Sequence, residues 1–225
     1  MITLFSLTLT ISSYVLTLKL RKIYTSPFTN SVFLGSVIII ITLELLNVSY
    51  EEYMPAKNIM TYLLGPATVA LAVPIYKNKK LIADYLPAAL IGLILGSVAT
   101  ITIAIGLAVT FNFSKEIIVS LSVKSVTTPI AIEVGEIIKG NISLIAGFVM
   151  VTGMVGAMFG PKMLSLTKVD HPFARGLSIG TIGHGIGTAE AVKEGEIQGA
   201  VAGAAMGIAG ILTAFAVPYI IPYFI

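Results

Sequence analysis

Long uncharged blocks dominate this chain. They cover residues 1–18, 23–43, 58–76, 85–112, 140–161 and 197–225. A helix needs roughly 20 apolar residues to cross the hydrocarbon core of a bilayer, so each block predicts a transmembrane helix. In the second block Ser26-Pro27-Phe28-Thr29-Asn30 is turn-like. That moves its span to begin near Val32 and to run past Glu44 to about Val48. Two further apolar segments, 117–138 and 176–189, are too short or too interrupted for a simple span. Segments of that kind are re-entrant or pairs of half-helices.

These blocks predict an all-α, polytopic transmembrane protein with inverted-topology repeats and two broken or re-entrant helical hairpins. The chain reads as a single integral membrane domain, 1–225. Within it, 1–57 forms scaffold helices that dimerise, and 58–112 an interrupted helix followed by a long span. Residues 113–161 are a hairpin with its span, and 162–225 a second, inverted hairpin with its span. The interruption in 58–112 is expected at Gly65-Pro66-Ala67-Thr68.

Composition agrees with a lipid environment. Hydrophobic residues make up 56% of the chain and charged residues 11%, against about 25% charged in a soluble domain. Mean hydropathy is +0.96. A net charge of +3 is no argument for nucleic acid, and no such motif is present. The absence of Cys excludes disulfides, thiolate catalysis and Cys-based metal sites. The first 18 residues carry no positive n-region and no cleavage site, so they read as a retained span and not as a signal peptide.

Charge also orients the spans. With the N-terminus outside and both short segments returning to their own side, the inside holds Lys19, Arg21, Lys22, Lys77, Lys79, Lys80, Lys162, Lys168, Arg175 and Lys193. The outside holds Lys57, Lys115 and Lys139. Positive charge accumulates on the cytoplasmic side of membrane proteins, and this assignment concentrates it there. The first hairpin then enters from outside and the second from inside.

The two hairpin regions also compare with each other. Residues 124–147 and 184–207 align without gaps, with Thr128 on Thr188, Ala131 on Ala191, Gly147 on Gly207 and Gly135-Glu136-Ile137 on Gly195-Glu196-Ile197. Lys124 falls on His184. Opposite orientation and internal similarity together describe an inverted repeat, an organisation common in secondary transporters.

The candidate chemistry lies in the two interrupted segments. Irregular backbone is tolerated at membrane depth only where protein buries it or it lines a cavity. A helix starting there presents free N–H groups and a dipole that attract anions. In Lys124-Ser125-Val126-Thr127-Thr128-Pro129, the proline suits a helix's first turn. Thr127 and Thr128 can cap that turn or give hydroxyls to a ligand, and Lys124 can pair with a carboxylate. In Gly183-His184-Gly185-Ile186-Gly187-Thr188, the glycines permit positive φ and close approach, and His184 can donate or accept a proton near neutral pH. Each has a plainer reading. Lys124 can snorkel to the interface, His184 can be a structural histidine, the threonines can only cap, and Glu133 and Glu190 can sit in water at hairpin mouths. Gly92, Gly96, Gly106, Gly153 and Gly156 read as helix-packing positions. Glu51, Glu52, Asp84 and His171 read as solvated loop groups, and Tyr50 and Tyr53 as interface anchors.

Three stretches resemble signatures of the LrgB/CidB family. They are Leu64-Gly65-Pro66-Ala67-Thr68-Val69-Ala70-Leu71-Ala72-Val73-Pro74-Ile75-Tyr76-Lys77, then Lys124-Ser125-Val126-Thr127-Thr128-Pro129-Ile130-Ala131, then Ala174-Arg175-Gly176-Leu177 with His184 and Gly187-Thr188-Ala189. They stand in family order, and the resemblance covers essentially the whole chain. It implies a multi-pass protein of the bacterial cytoplasmic membrane, acting beside a small holin-like membrane partner. The family was named for antiholin-like control of murein hydrolase activity and cell lysis, and relatives move glycolate, glycerate or pyruvate. Val123 stands where relatives often carry Pro, Gly183 where they often carry Ser, and Glu190 where many carry Arg. That last departure shifts carboxylate binding to Lys124, Arg175 and the half-helix ends.

The expected function is secondary transport of small 2-hydroxy or 2-oxo monocarboxylates by alternating access. Lys124, Ser125, Thr127, Thr128, Pro129, Arg175, His184, Gly185, Gly187, Thr188, Pro66 and Thr68 would bind substrate. Glu133, His184 and Glu190 would be coupling candidates. No metal or cofactor is expected; the partners are the anion, the bilayer, a second copy of the chain and a holin-like protein. The alternative is an antiholin-like regulator of lysis. An intramembrane hydrolase using Ser125 with Lys124 as base is disfavoured, because neighbours on one helix point about 100° apart.

Overall fold

The computed structural model describes residues 1–24 and 26–224, and of Thr68 only the backbone. All regular structure among the described residues is helical. Five helical stretches are long and apolar enough to cross a membrane: Ile2–Ile23, Tyr50–Lys77, Leu86–Thr110, Ile142–Leu166 and Glu196–Tyr223. The chain divides into two compact units, 1–71 and 72–225.

The first unit opens with α1 (Ile2–Ile23), whose last turn carries Arg21 and Lys22, where cations suit the helix dipole. A short 3-10 turn, Pro27–Thr29, leads to α2 (Ser31–Leu45). The Asn30 side chain caps α2 by accepting from the N–H groups of Val32 and Phe33. With 15 residues, α2 is shorter than the span expected to reach Val48. Then come α3 (Tyr50–Tyr62) and α4 (Leu64–Ala70). Glu51 and Glu52 were expected in a loop. They occupy the first turn of α3 instead, with Ser49 and Glu52 closing a capping box, which satisfies otherwise orphaned N–H groups. Tyr53, expected only as an interface anchor, bonds the Thr10 hydroxyl at 2.9 Å. On α1, Ser6, Ser13 and Thr17 are buried, so a hydroxyl-lined seam faces the other helices of this unit.

The second unit contains α5 (Ala72–Lys77), α6 (Lys79–Asp84), α7 (Leu86–Thr110), α8 (Lys115–Leu121), α9 (Thr128–Ile137), α10 (Ile142–Leu166), α11 (Pro172–Glu194) and α12 (Glu196–Ile220). Asp84 ends α6, and His171 is the N-cap residue of α11, its ring 5.7 Å from that of Tyr85. The sequence suggests loops for both: Asp84 is helical instead, whereas His171 is exposed in the loop before α11, as expected. On α7, Leu93, Ser97, Ile101 and Ile105 are buried, whereas Ile91, Leu95, Ile103 and Leu107 are exposed. One face of the helix packs inward and the other presents bare hydrocarbon, as a lipid-facing helix does. The main core gathers Ile101, Ile105, Val123, Val126, Val149 and Val217. It therefore brings α7, α10 and α12 around the segment between α8 and α9.

Glycines set the closest helix contacts. A Cβ on Gly176 would meet the Gln198 carbonyl oxygen at 2.5 Å, and one on Gly156 would meet the Gly183 Cα at 3.3 Å. Gly92 and Gly96 face Leu177 and Thr181 of α11. Small residues allow such approach in membranes, where packing drives association. Gly106, expected to pack likewise, has nothing within 4 Å of its Cβ position.

Candidate functional site

α11 is one helix in name only. Arg175 near its start and Glu194 at its end are joined side chain to side chain, with Nη2 2.7 Å from Oε1 and Nε 2.8 Å from Oε2. Nineteen residues of straight helix would hold them roughly 28 Å apart. The helix therefore folds back on itself, and the reversal lies at His184, whose φ of 39° and ψ of −134° are non-helical. A Cβ on Gly187 would meet the Ile179 carbonyl oxygen at 3.0 Å, so the two arms run close together. The segment enters and leaves on one side.

The first short segment does the same with a looser turn. α8 and α9 are separated by residues 122–127. Asn141, just past α9, donates from Nδ2 to Glu116 Oε1 at 2.7 Å, and from its N–H to Ser120 Oγ at 3.3 Å. Its arms thus meet at the N-terminal end of α10. The second hairpin is anchored at the other end of α10, where Arg175 donates to the Pro161 carbonyl at 3.1 Å and to Ser165 Oγ at 3.2 Å. The two hairpins approach from opposite ends of a 25-residue helix.

Their tips converge on the stretch of that helix around Val149, about a third of the way along it. His184 is buried, and its Nε2 lies 2.9 Å from the carbonyl oxygen of Val149. Val149 also belongs to the core that holds Val123 and Val126 of the first tip. The two tips therefore share one packed core against α10. Because a carbonyl only accepts, Nε2 carries the proton and Nδ1 is the basic nitrogen of the neutral ring.

The glycines of this segment permit positive φ, but among the described residues it is His184 that adopts it here. Gly183 and Gly187 serve close approach instead. A non-glycine residue in such a conformation costs on the order of 1–3 kcal/mol and persists where its surroundings enforce it. Here the enforcing contacts are the Val149 bond and Thr188, which donates to the His184 carbonyl at 2.7 Å and is fully buried. Gly153 makes room for the ring: a Cβ there would lie 2.6 Å from His184 Cε1 and Nε2. It sits one turn beyond Val149, so its bare backbone uncovers the outward lone pair of that carbonyl.

At the first tip, Lys124 Nζ donates to Ser125 Oγ at 3.0 Å. The expectation that these neighbours meet poorly assumed a helix. They lie in the non-helical turn, where adjacent side chains can converge. Lys124 is partly buried, and among the described residues no carboxylate pairs with it. Thr127 is the N-cap residue of α9 without a side-chain cap bond, and Pro129 sits in the first turn. Thr127 and Thr128 are half-buried.

The remaining candidates differ in their surroundings. Arg175 commits all five N–H groups, adding the Val169 carbonyl at 3.0 Å to the partners above. It clasps the base of the second hairpin and has no donor left for a ligand. Glu190 is buried and paired with Lys193 at 3.3 Å, while Glu133 is exposed on α9. Gly185 is half-buried beside the turn. Pro66 lies exposed in α4 of the first unit, and the Thr68 side chain falls outside the described residues. A cavity of about 170 Å³ beside the second tip is lined by Gly156, Gly160, Ile179, Ile182 and Gly183. Its apolar wall does not suit a carboxylate.

The gapless pairing sets a six-residue turn, 122–127, against a reversal at His184, and the spans that follow start out of register. α10 begins at Ile142 after a four-residue link, α12 at Glu196 after Gly195 alone.

Comparison with known proteins now places the chain. The LrgB-like family profile matches residues 10–223. The chain belongs to the LrgB-like family. Among curated relatives, the holin-like protein CidB of Staphylococcus epidermidis is 32% identical over 185 residues, covering 82% of this chain and 81% of that protein. The uncharacterized protein YxaC of Bacillus subtilis is 33% identical over 193 residues, 84% and 82% of the two chains. CidB of Staphylococcus aureus is 29% identical over 185 residues, 82% and 81%. No solved structure matches. This LrgB-like protein is thus a multi-pass membrane protein whose relatives include proteins named holin-like.

Proposed function

We propose that this protein is a secondary transporter of small 2-hydroxy or 2-oxo monocarboxylates, such as pyruvate, lactate, glycolate or glycerate, working by alternating access across the bacterial cytoplasmic membrane. The observation that carries the reading is the Lys124 ammonium: partly buried at the tip of one hairpin, with a neutral hydroxyl as its bonded partner, next to the core residues that pack with Val149, where the other tip is bonded. A buried charge lacking a counter-ion is costly, and a monocarboxylate supplies the missing charge. The α9 N-terminus adds its dipole and uncapped N–H groups. Two hairpins entering from opposite ends of one long helix provide two gates around one site, as alternating access requires. On this reading 113–161 and 162–225 are an inverted repeat, and 1–57 is a scaffold that dimerises.

The test is uptake of labelled pyruvate, lactate and glycolate into vesicles holding the purified protein. Saturable uptake is expected, lost in Lys124→Ala and reduced in His184→Ala. Absence of uptake for every such acid rejects the reading.

A second reading takes up the holin-like name of the CidB relatives: this protein would be an antiholin-like regulator of murein hydrolase activity and lysis, acting with a small holin-like partner. It predicts hydrolase release that depends on the partner and no saturable substrate.

A further inference from the structure

Ser97 lies midway along α7 on its buried face. Leu93 one turn before it packs with Ala205 and Ala209 of α12, and Ile101 one turn after it shares the core of Val123 and Val126. Its neighbour Gly96 would carry a Cβ 3.3 Å from Thr181 Cγ2, three residues before His184. Ser97 thus stands at the height where the two hairpin tips converge.

Its hydroxyl is exceptional. The other hydroxyl residues of α7 turn back onto their own helix: Thr100 donates to the Gly96 carbonyl at 2.6 Å, Thr102 to Val98 at 2.8 Å and Thr110 to Gly106 at 2.7 Å. Ser97 is 7% exposed, and its Oγ has no hydrogen-bond partner. Buried polar groups are bonded as a rule, so each exception asks for an explanation. A serine in a helix has a carbonyl within reach four residues back, yet Ser97 makes no bond to it.

We propose that Ser97 is a specificity residue of the anion site, bonding the 2-oxygen of the bound acid while Lys124 takes the carboxylate. This deepens the transport reading and rests on it. A hydroxyl donates and accepts, so one serine serves a 2-oxo acid as donor and a 2-hydroxy acid in either role. Propionate, which has the carboxylate and no 2-oxygen, would leave the Ser97 hydroxyl unpaired.

The experiment compares uptake of labelled lactate and labelled propionate by the full-length protein in vesicles, for wild type, Ser97→Ala and Ser97→Thr. Wild type should prefer lactate. Ser97→Ala should raise the KM for lactate about tenfold, the scale of one lost hydrogen bond, and leave propionate unchanged, so that discrimination collapses. Ser97→Thr, which keeps the hydroxyl, should restore the preference. Equal loss for both acids, or an unchanged preference in Ser97→Ala, overturns the assignment of Ser97 while transport stands. Wild-type protein that takes up neither acid overturns the transport reading, and Ser97 with it.

Discussion

The imidazole Nε2 of His184 lies 2.9 Å from the carbonyl oxygen of Val149. This bond joins the tip of one hairpin to the helix that both hairpins share. It is possible because Gly153 has no side chain to cover that carbonyl.

Gly153→Ala should therefore act on His184. The added Cβ would fall 2.6 Å from the ring, and overpacking of this kind costs about 1–3 kcal/mol. We expect a lowered thermal midpoint in detergent and impaired uptake, with His184→Gly combined with Gly153→Ala less destabilised than the two single changes added together. Strict additivity in that cycle would show that the two positions do not touch.

The coupling proposed for His184 would use Nδ1, the nitrogen facing away from Val149. Asn at this position keeps a donor for the carbonyl and tolerates positive φ, but it cannot titrate. Uptake by wild type should vary between pH 5 and 8, and uptake by His184→Asn should persist with a flat profile. A flat wild-type profile removes His184 from coupling.

The Arg175–Glu194 clasp predicts a stability effect. Side-chain exposures of 12% and 18% leave the pair largely desolvated, and removing one partner of a buried pair costs about 3–5 kcal/mol; partial solvent screening should place this one at the low end. Arg175→Ala and Glu194→Ala should each lower unfolding stability by that order. Arg175→Lys should not restore it, since one ammonium cannot replace a bidentate fork that also holds three groups at the end of α10. Full stability in Arg175→Lys would argue against the clasp.

Opposite entry of the hairpins can be read by labelling. The chain has no cysteine, so single cysteines are unambiguous. Lys139 sits at the base of the first hairpin and Lys168 just beyond α10. Lys139→Cys should react with an impermeant thiol reagent from outside the cell, and Lys168→Cys only from inside. Labelling of both from one side would refute the topology.

The sequence by itself determined the medium, five of its six predicted spans and the location of both breaks. These follow from local properties: run length of apolar residues, the distribution of Lys and Arg, and helix interruption at Thr127-Thr128-Pro129 and around His184. It also carried enough family signature to place the chain among LrgB-like proteins. It did not reveal that Arg175 would be consumed by Glu194, that the reversal would fall on His184 and not its glycine neighbours, or that Lys124 and Ser125 would bond. Nor did it single out Ser97, which looks like any small residue in a span. Those outcomes depend on which groups meet across many intervening residues. Within a membrane nearly every buried polar group must find a partner inside the protein, and only the tertiary arrangement decides which ones do.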